Sequence, residues 1–137
     1  CLICYEIIFP GLVRGFVRQG ADVLVNITND AWFGDSAAPR QHFTAAVLRA
    51  VENGRPVLRC ANTGISGVID PLGRVLHRTR LNERTIVPVS QTVAPLDTFY
   101  SRHGDVTAWG CLILWALALA AGLARQRTAG AKEGLGS

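Results

Sequence analysis

The chain has 137 residues, 49% hydrophobic and only 18% charged, whereas a soluble domain usually carries about a quarter charged residues. With 14 Gly, 6 Pro and 4 Cys, it is neither collagen-like, nor a low-complexity disordered chain, nor a disulfide scaffold. The net charge of +4 is uneven: residues 1–105 hold 11 basic and 9 acidic side chains, residues 125–137 hold 3 and 1, and neither stretch has the basic stripe with interleaved aromatics that would make nucleic acid a partner.

Cys1-Leu2-Ile3-Cys4 opens the chain as an apolar strand with no cap, turn or leader ahead of it, and it reads as the start of the C-terminal part of a longer protein. Pro10 to Gln19 reads as a short helix, with Leu12, Val13, Phe16 and Val17 on one face and Arg14 and Arg18 on the other. Asp22 to Ile27 is a second apolar strand. Ser36 to Asn53 follows as a longer helix, its apolar positions Phe43, Ala46, Val47, Ala50 and Val51 spaced for one face, with Pro39 in the first turn and Gly54 at the stop. Pro56 to Cys60 is a third strand. Ser66–Asp70 and Val75–Arg78 form a hairpin around Asp70-Pro71-Leu72-Gly73, where Pro and Gly suit the turn. Arg84 to Val89 reads as one more strand, and residues 90–104 as a polar linker. The order β-α-β-α-β-β-β predicts an α/β layered domain with mixed strand pairing.

The apolar excess lies in residues 106–124, which carry no charge. As a helix they span roughly 28 Å, close to the ~30 Å hydrocarbon core of a bilayer, and they lack the polar face of a small domain's core helix. Asp105, His103 and Arg102 precede this segment, while Arg125, Arg127 and Lys132 follow it, so the positive-inside bias puts the tail in the cytoplasm. Residues 1–104 are then on the outer side, and the Gly- and Ala-rich tail from Thr128 is expected to lack regular structure.

Cys1-x-x-Cys4 has the spacing of half a zinc site, but the second half is missing, and a separation of three puts two strand side chains on opposite faces. No metal is expected. Cys4 ends a strand just before Tyr5-Glu6, a position where an α/β fold can expose a nucleophile; a buried, inert thiol is the alternative. Asn29 to Gly34, with Trp32 and Phe33, suits a pocket rim, although Asn and Asp also simply make turns. Asn26-Ile27-Thr28 matches a glycosylation sequon by chance within a strand. His42 sits in the amphipathic helix, where a structural role is the usual one.

Five blocks occur in order: Cys4-Tyr5-Glu6, Asn29-Asp30-Ala31-Trp32-Phe33-Gly34, Ala38-Pro39-Arg40-Gln41-His42, Arg49-Ala50-Val51-Glu52-Asn53-Gly54-Arg55-Pro56 and Asn62-Thr63-Gly64-Ile65-Ser66. Together they resemble the apolipoprotein N-acyltransferase family, bacterial inner-membrane enzymes with a nitrilase-like domain. The resemblance implies the C-terminal half of an α-β-β-α sandwich facing the periplasm (residues 1–90), a linker (91–104), one transmembrane helix (105–124) and a cytoplasmic tail (125–137). It implies transfer of an acyl chain from a phospholipid, through a thioester on Cys4, to the α-amino group of a diacylglyceryl-cysteine on an apolipoprotein. Tyr5 and Glu6 then support the site, the backbone N–H after Cys4 can serve an oxyanion, and Asn29, Trp32 and Phe33 are candidates for substrate contact. No cofactor is implied. The family's glutamate base and lysine fall upstream of Cys1, and Lys132, the sole lysine, lies beyond the span, so the chain alone is expected to be inactive. Two other readings share the sequence: a soluble-type amidase or nitrilase, which has no use for the charge-free span, and a membrane-anchored nitrilase-like binding module without catalysis.

Overall fold

The computed structural model describes the backbone of residues 1–89 and 94–133, with side chains as far as Leu123. The chain divides into two units, Cys1–Gly104 and Asp105–Ser137. In the first, five strands among the described residues form one sheet: β1 (Leu2–Ile3), β2 (Leu24–Asn29), β3 (Val57–Asn62), β4 (Gly67–Ile69) and β5 (Val75–Arg78), in that spatial order. The first three are parallel and the last two antiparallel, the mixed pairing expected of the sequence. Helix α1 (Pro10–Arg18) connects β1 to β2, and α2 (Ala38–Asn53) connects β2 to β3. Parallel neighbours need such crossovers.

Both helices cover the same sheet face. Leu2, Leu24, Val57 and Ile69 point inward from the sheet and meet Val13 and Val17 of α1 and Phe43, Ala46 and Ala50 of α2. Each strand alternates, so Ile3, Ile27 and Cys60 stand on the opposite face and are exposed. Gly54 ends α2 in the left-handed region, at φ +61°, a conformation glycine takes at no steric cost, and a Cβ there would run into the Leu96 backbone carbonyl. Asp70 closes the β4–β5 turn: its carboxylate accepts the N–H groups of Leu72 (2.9 Å) and Arg74 (2.8 Å) and the Arg74 Nε–H at 2.7 Å. Burial alone pushes the Asp70 pKa up, but these donors outweigh it and hold the carboxyl below its usual range.

The strand expected over residues 84–89 is absent. Thr85-Ile86-Val87 has strand composition, but it forms no ladder with the described strands; it shares a cavity with Val25, Leu58, Cys60 and Val68 of the sheet, and Ile86 is left almost wholly exposed. Further on, α3 (Phe99–His103) forms within the polar stretch before the apolar segment. Thr98 caps it, accepting the Ser101 N–H at 3.0 Å. Arg14 of α1 then donates to the carbonyls of Tyr100 (3.0 Å), Ser101 (3.1 Å) and Arg102 (2.8 Å). Leu96 is tied to Gly54 by a backbone bond of 2.8 Å. Residues 90–93 lie outside the described residues.

The second unit is α4 (Val106–Glu133). Its window Val106–Leu123 has a mean hydropathy of 2.0 and none of it is buried, so it is long and apolar enough to cross a membrane. The helix continues past Thr128 to Glu133, which corrects the expectation of an irregular tail over that stretch. Ala129, Ala131, Lys132 and Glu133 are good helix formers and extend a helix already nucleated. Residues 134–137 lie outside the described residues.

Candidate active site

β1 is short because the chain leaves the sheet at Cys4. There it tightens into a 3-10 turn over Cys4–Ile8, and Cys4 itself takes φ +49°. A left-handed conformation costs a residue with a Cβ about 1–2 kcal/mol, so the surroundings must hold it. Three contacts do. The buried Asn26 amide donates to the carbonyls of Leu2 and Cys4, each at 3.2 Å. The Glu6 carboxylate accepts the Ile3 N–H at 2.7 Å. Ile7, fully buried, pins the far side of the turn. The half-buried thiol thus sits just past the carboxyl end of a parallel strand, where open α/β sheets bind ligands.

Beneath Cys4 lies a polar network within the apolar layer. Arg59 on β3 is the register partner of Asn26 on β2, so the two side chains share the inner face. The Arg59 guanidinium donates to Asn26 Oδ1, to the Ile65 carbonyl (Nε, 3.2 Å) and to Asp30 Oδ2 (2.8 Å). Both side chains of the Arg59–Asp30 pair are wholly buried. Asp30 Oδ1 also accepts from Thr28 at 3.0 Å and lies 3.0 Å from His42 Nδ1. Arg59 Nη2 is 3.1 Å from the same Nδ1, which has room for one proton or one lone pair; with a carboxylate as acceptor, Nδ1–H donates to Asp30. Burial first, and the Arg59 charge second, lower the His42 pKa against the pull of Asp30. At neutral pH both effects favour the neutral imidazole of His42. Burial likewise pulls the Arg59 pKa down, and Asp30 opposes it.

Aromatic rings gather around His42. Tyr5 lies 5.6 Å from it and Phe33 6.1 Å, measured between ring centroids, and Tyr5 meets Phe9 edge-on at 6.3 Å. Of the expected site residues, the structure thus brings Cys4, Tyr5, Glu6 and Phe33 into one neighbourhood. Glu6 is engaged with the backbone of Ile3, a supporting contact. Asn29, exposed at the end of β2, turns the loop by accepting the Ala31 N–H at 3.1 Å. Trp32 stands out from the same loop, 85% exposed. A cavity of about 160 Å³ is lined by Asp30, Ala31, Gly34, Asp35, Thr63, Leu81 and Asn82. Cys1, Cys60 and Cys111 are exposed free thiols.

Sequence reasoning missed Asn26 and Arg59. The signal was available: in a strand of period two, Asn26 falls on the face of Leu24 and Arg59 on the face of Val57, so both are inward polar residues. His42 was expected in a structural role, and the structure bonds it to Asp30.

The carbon-nitrogen hydrolase family model matches residues 1–95. The chain is 47% identical over 126 residues to the apolipoprotein N-acyltransferase of Geobacter metallireducens, covering 92% of this chain and 24% of that protein. It is 50% identical over 108 residues to the enzyme of the same name from Rickettsia bellii, covering 77% and 21%. The chain therefore spans about a quarter of the length of these relatives. Among solved structures, the carbon-nitrogen hydrolase from Helicobacter pylori G27 superposes with a TM-score of 0.52 at 18% identity, over 60% of this chain and 36% of that one, a likeness of fold. With that family model matching residues 1–95, the chain belongs to the carbon-nitrogen hydrolase family.

Proposed function

We propose that the chain is part of an enzyme that N-acylates lipoproteins, with Cys4 as its nucleophile. The observation that carries this reading is the left-handed Cys4 at the end of β1, braced by Asn26 and Glu6, in a chain whose relatives bear the name apolipoprotein N-acyltransferase. In the first half-reaction the Cys4 thiolate attacks the ester carbonyl of a phospholipid. A C–S bond forms, the ester C–O bond breaks, and the lysophospholipid alkoxide leaves with a proton. In the second, the α-amino group of a diacylglyceryl-cysteine attacks the thioester; a C–N bond forms, the C–S bond breaks, and a proton from the nitrogen goes to the departing Cys4 sulfur. The Tyr5 N–H is the oxyanion donor, Tyr5 and Glu6 support the turn, and Asn29, Trp32 and Phe33 meet substrate at the rim.

Substrates of this kind are membrane-borne, and α4 supplies a span of roughly 27 Å from its 18 apolar residues. In this reading residues 1–90 are the catalytic domain and 91–104 a linker. The segment 105–124 crosses the inner membrane, with residues 1–104 periplasmic and 125–137 cytoplasmic. The charge-free helix favours this over a soluble amidase. The test supplies the full-length protein, in detergent, with phospholipid and a diacylglyceryl-cysteine peptide. An amide-linked third acyl chain on the peptide supports the reading; hydrolysis of small amides without transfer contradicts it.

A further inference from the structure

We infer that Asn26, gripped by Arg59, is a positioning residue that aims the peptide group between Cys4 and Tyr5. This role rests on Cys4 being the nucleophile.

Asn26 is fully buried in the middle of a strand, between the inward Leu24 and Thr28 and beside the buried Leu2. An amide in that place needs partners, and a Val would fill the layer without any. Its hydrogen bonds run from Arg59 at one end to the turn of Cys4 at the other. Nδ2 donates to the Leu2 and Cys4 carbonyls, and Oδ1 accepts from the Arg59 guanidinium. A cation on the amide oxygen makes the amide N–H groups stronger donors. Arg59 is fixed in turn by Asp30 and the Ile65 carbonyl.

The peptide bond carries the consequence outward. The Cys4 carbonyl and the Tyr5 N–H belong to one planar, trans peptide group and point in opposite directions. Holding the oxygen on Asn26 therefore turns the Tyr5 N–H away from the core, toward the side on which an oxyanion at Cys4 would need a donor. Glu6 anchors the Leu2–Ile3 peptide group through the Ile3 N–H, and Asn26 holds the Leu2 and Cys4 carbonyls, so the chain is held on both sides of Cys4 at a φ it would otherwise avoid.

Asn26→Asp in the full-length protein is the test. It keeps the size and the Arg59 contact but turns acceptor oxygens toward the two carbonyls. Small misplacements of a reacting group lower rates by roughly 100-fold, so kcat should fall about that far, with KM for phospholipid within about threefold of wild type. Arg59→Lys, which keeps a buried cation but cannot reach both Asn26 and Asp30, should lower kcat in the same sense. It decides the matter alone if Asn26→Asp loses protease resistance. Wild-type kcat in a folded variant, or a raised KM with unchanged kcat, would overturn the inference. Absence of any acyl adduct on wild-type Cys4 would overturn the reading beneath it instead.

Discussion

Gly64 sits directly against the side chain of Asp30. A Cβ placed on Gly64 would lie 2.7 Å from both Cβ and Cγ of Asp30, nearer than real carbon contacts allow. Asp30 cannot retreat, because Arg59, His42 and Thr28 hold its carboxylate. Gly64→Ala should therefore destabilise the protein by about 1–3 kcal/mol, the range for overpacking. Thermal unfolding of the purified full-length protein in detergent measures it, and an unchanged Tm would contradict the packing described.

Removing the carboxylate itself should do more. Asp30→Ala leaves the wholly buried Arg59 guanidinium without its counter-charge. Breaking a buried pair from one side costs about 3–5 kcal/mol. Chemical denaturation should show a loss larger than that of Gly64→Ala; a smaller one would mean that water reaches Arg59.

His42 gives a pH dependence with a definite sign. Its pKa is lowered in the folded protein, by burial first and by Arg59 second, so the unfolded chain takes up a proton more readily. Its stabilising contribution is complete above the ordinary imidazole value of about 6.5 and is lost as pH falls below it. Tm should fall between pH 7 and 5, and His42→Gln should flatten that fall. A slope unaffected by the substitution would contradict the assignment of a neutral, buried imidazole.

The parts of this arrangement differ in how readable they were from residue order. Helix α2 was legible because Phe43, Ala46 and Ala50 recur at helical spacing, and the Asp70–Gly73 turn because its residues have conformations of their own. Cys4 was legible as a strand end, yet its left-handed φ was not, since that depends on Asn26, 22 residues away in sequence. The Asn26–Arg59 contact depends on strand register, which no local pattern states. Residues 84–89 misled for the complementary reason: strand composition is local, but a strand needs a free edge in register, and this segment lies against sheet residues without pairing to them.

Arg14 makes a prediction about the stretch ahead of α4. Its guanidinium caps the last carbonyls of α3, groups that a helix end leaves without internal partners. Hydrogen bonds to a charged donor contribute about 1.5–3 kcal/mol. Arg14→Ala should therefore raise amide exchange and protease cleavage over residues 97–104 by at least tenfold while leaving the β2–β3 ladder protected. Equal protection in both proteins would mean that the capping bonds do not hold that segment.

If the Cys4 sulfur carries the acyl group, the intermediate can be trapped on it. The full-length protein is incubated with phospholipid and no acceptor, then digested, and the acyl adduct is located by mass spectrometry and tested for hydroxylamine lability. A hydroxylamine-labile acyl group should appear on the peptide carrying Cys4. It should be absent from Cys4→Ala, and nearly absent from Cys4→Ser because a hydroxyl is far less acidic than a thiol. Cys60→Ala, which alters an exposed thiol on the other sheet face, should leave the adduct intact. An adduct on Cys60, or one that persists undiminished in Cys4→Ala, would contradict the account.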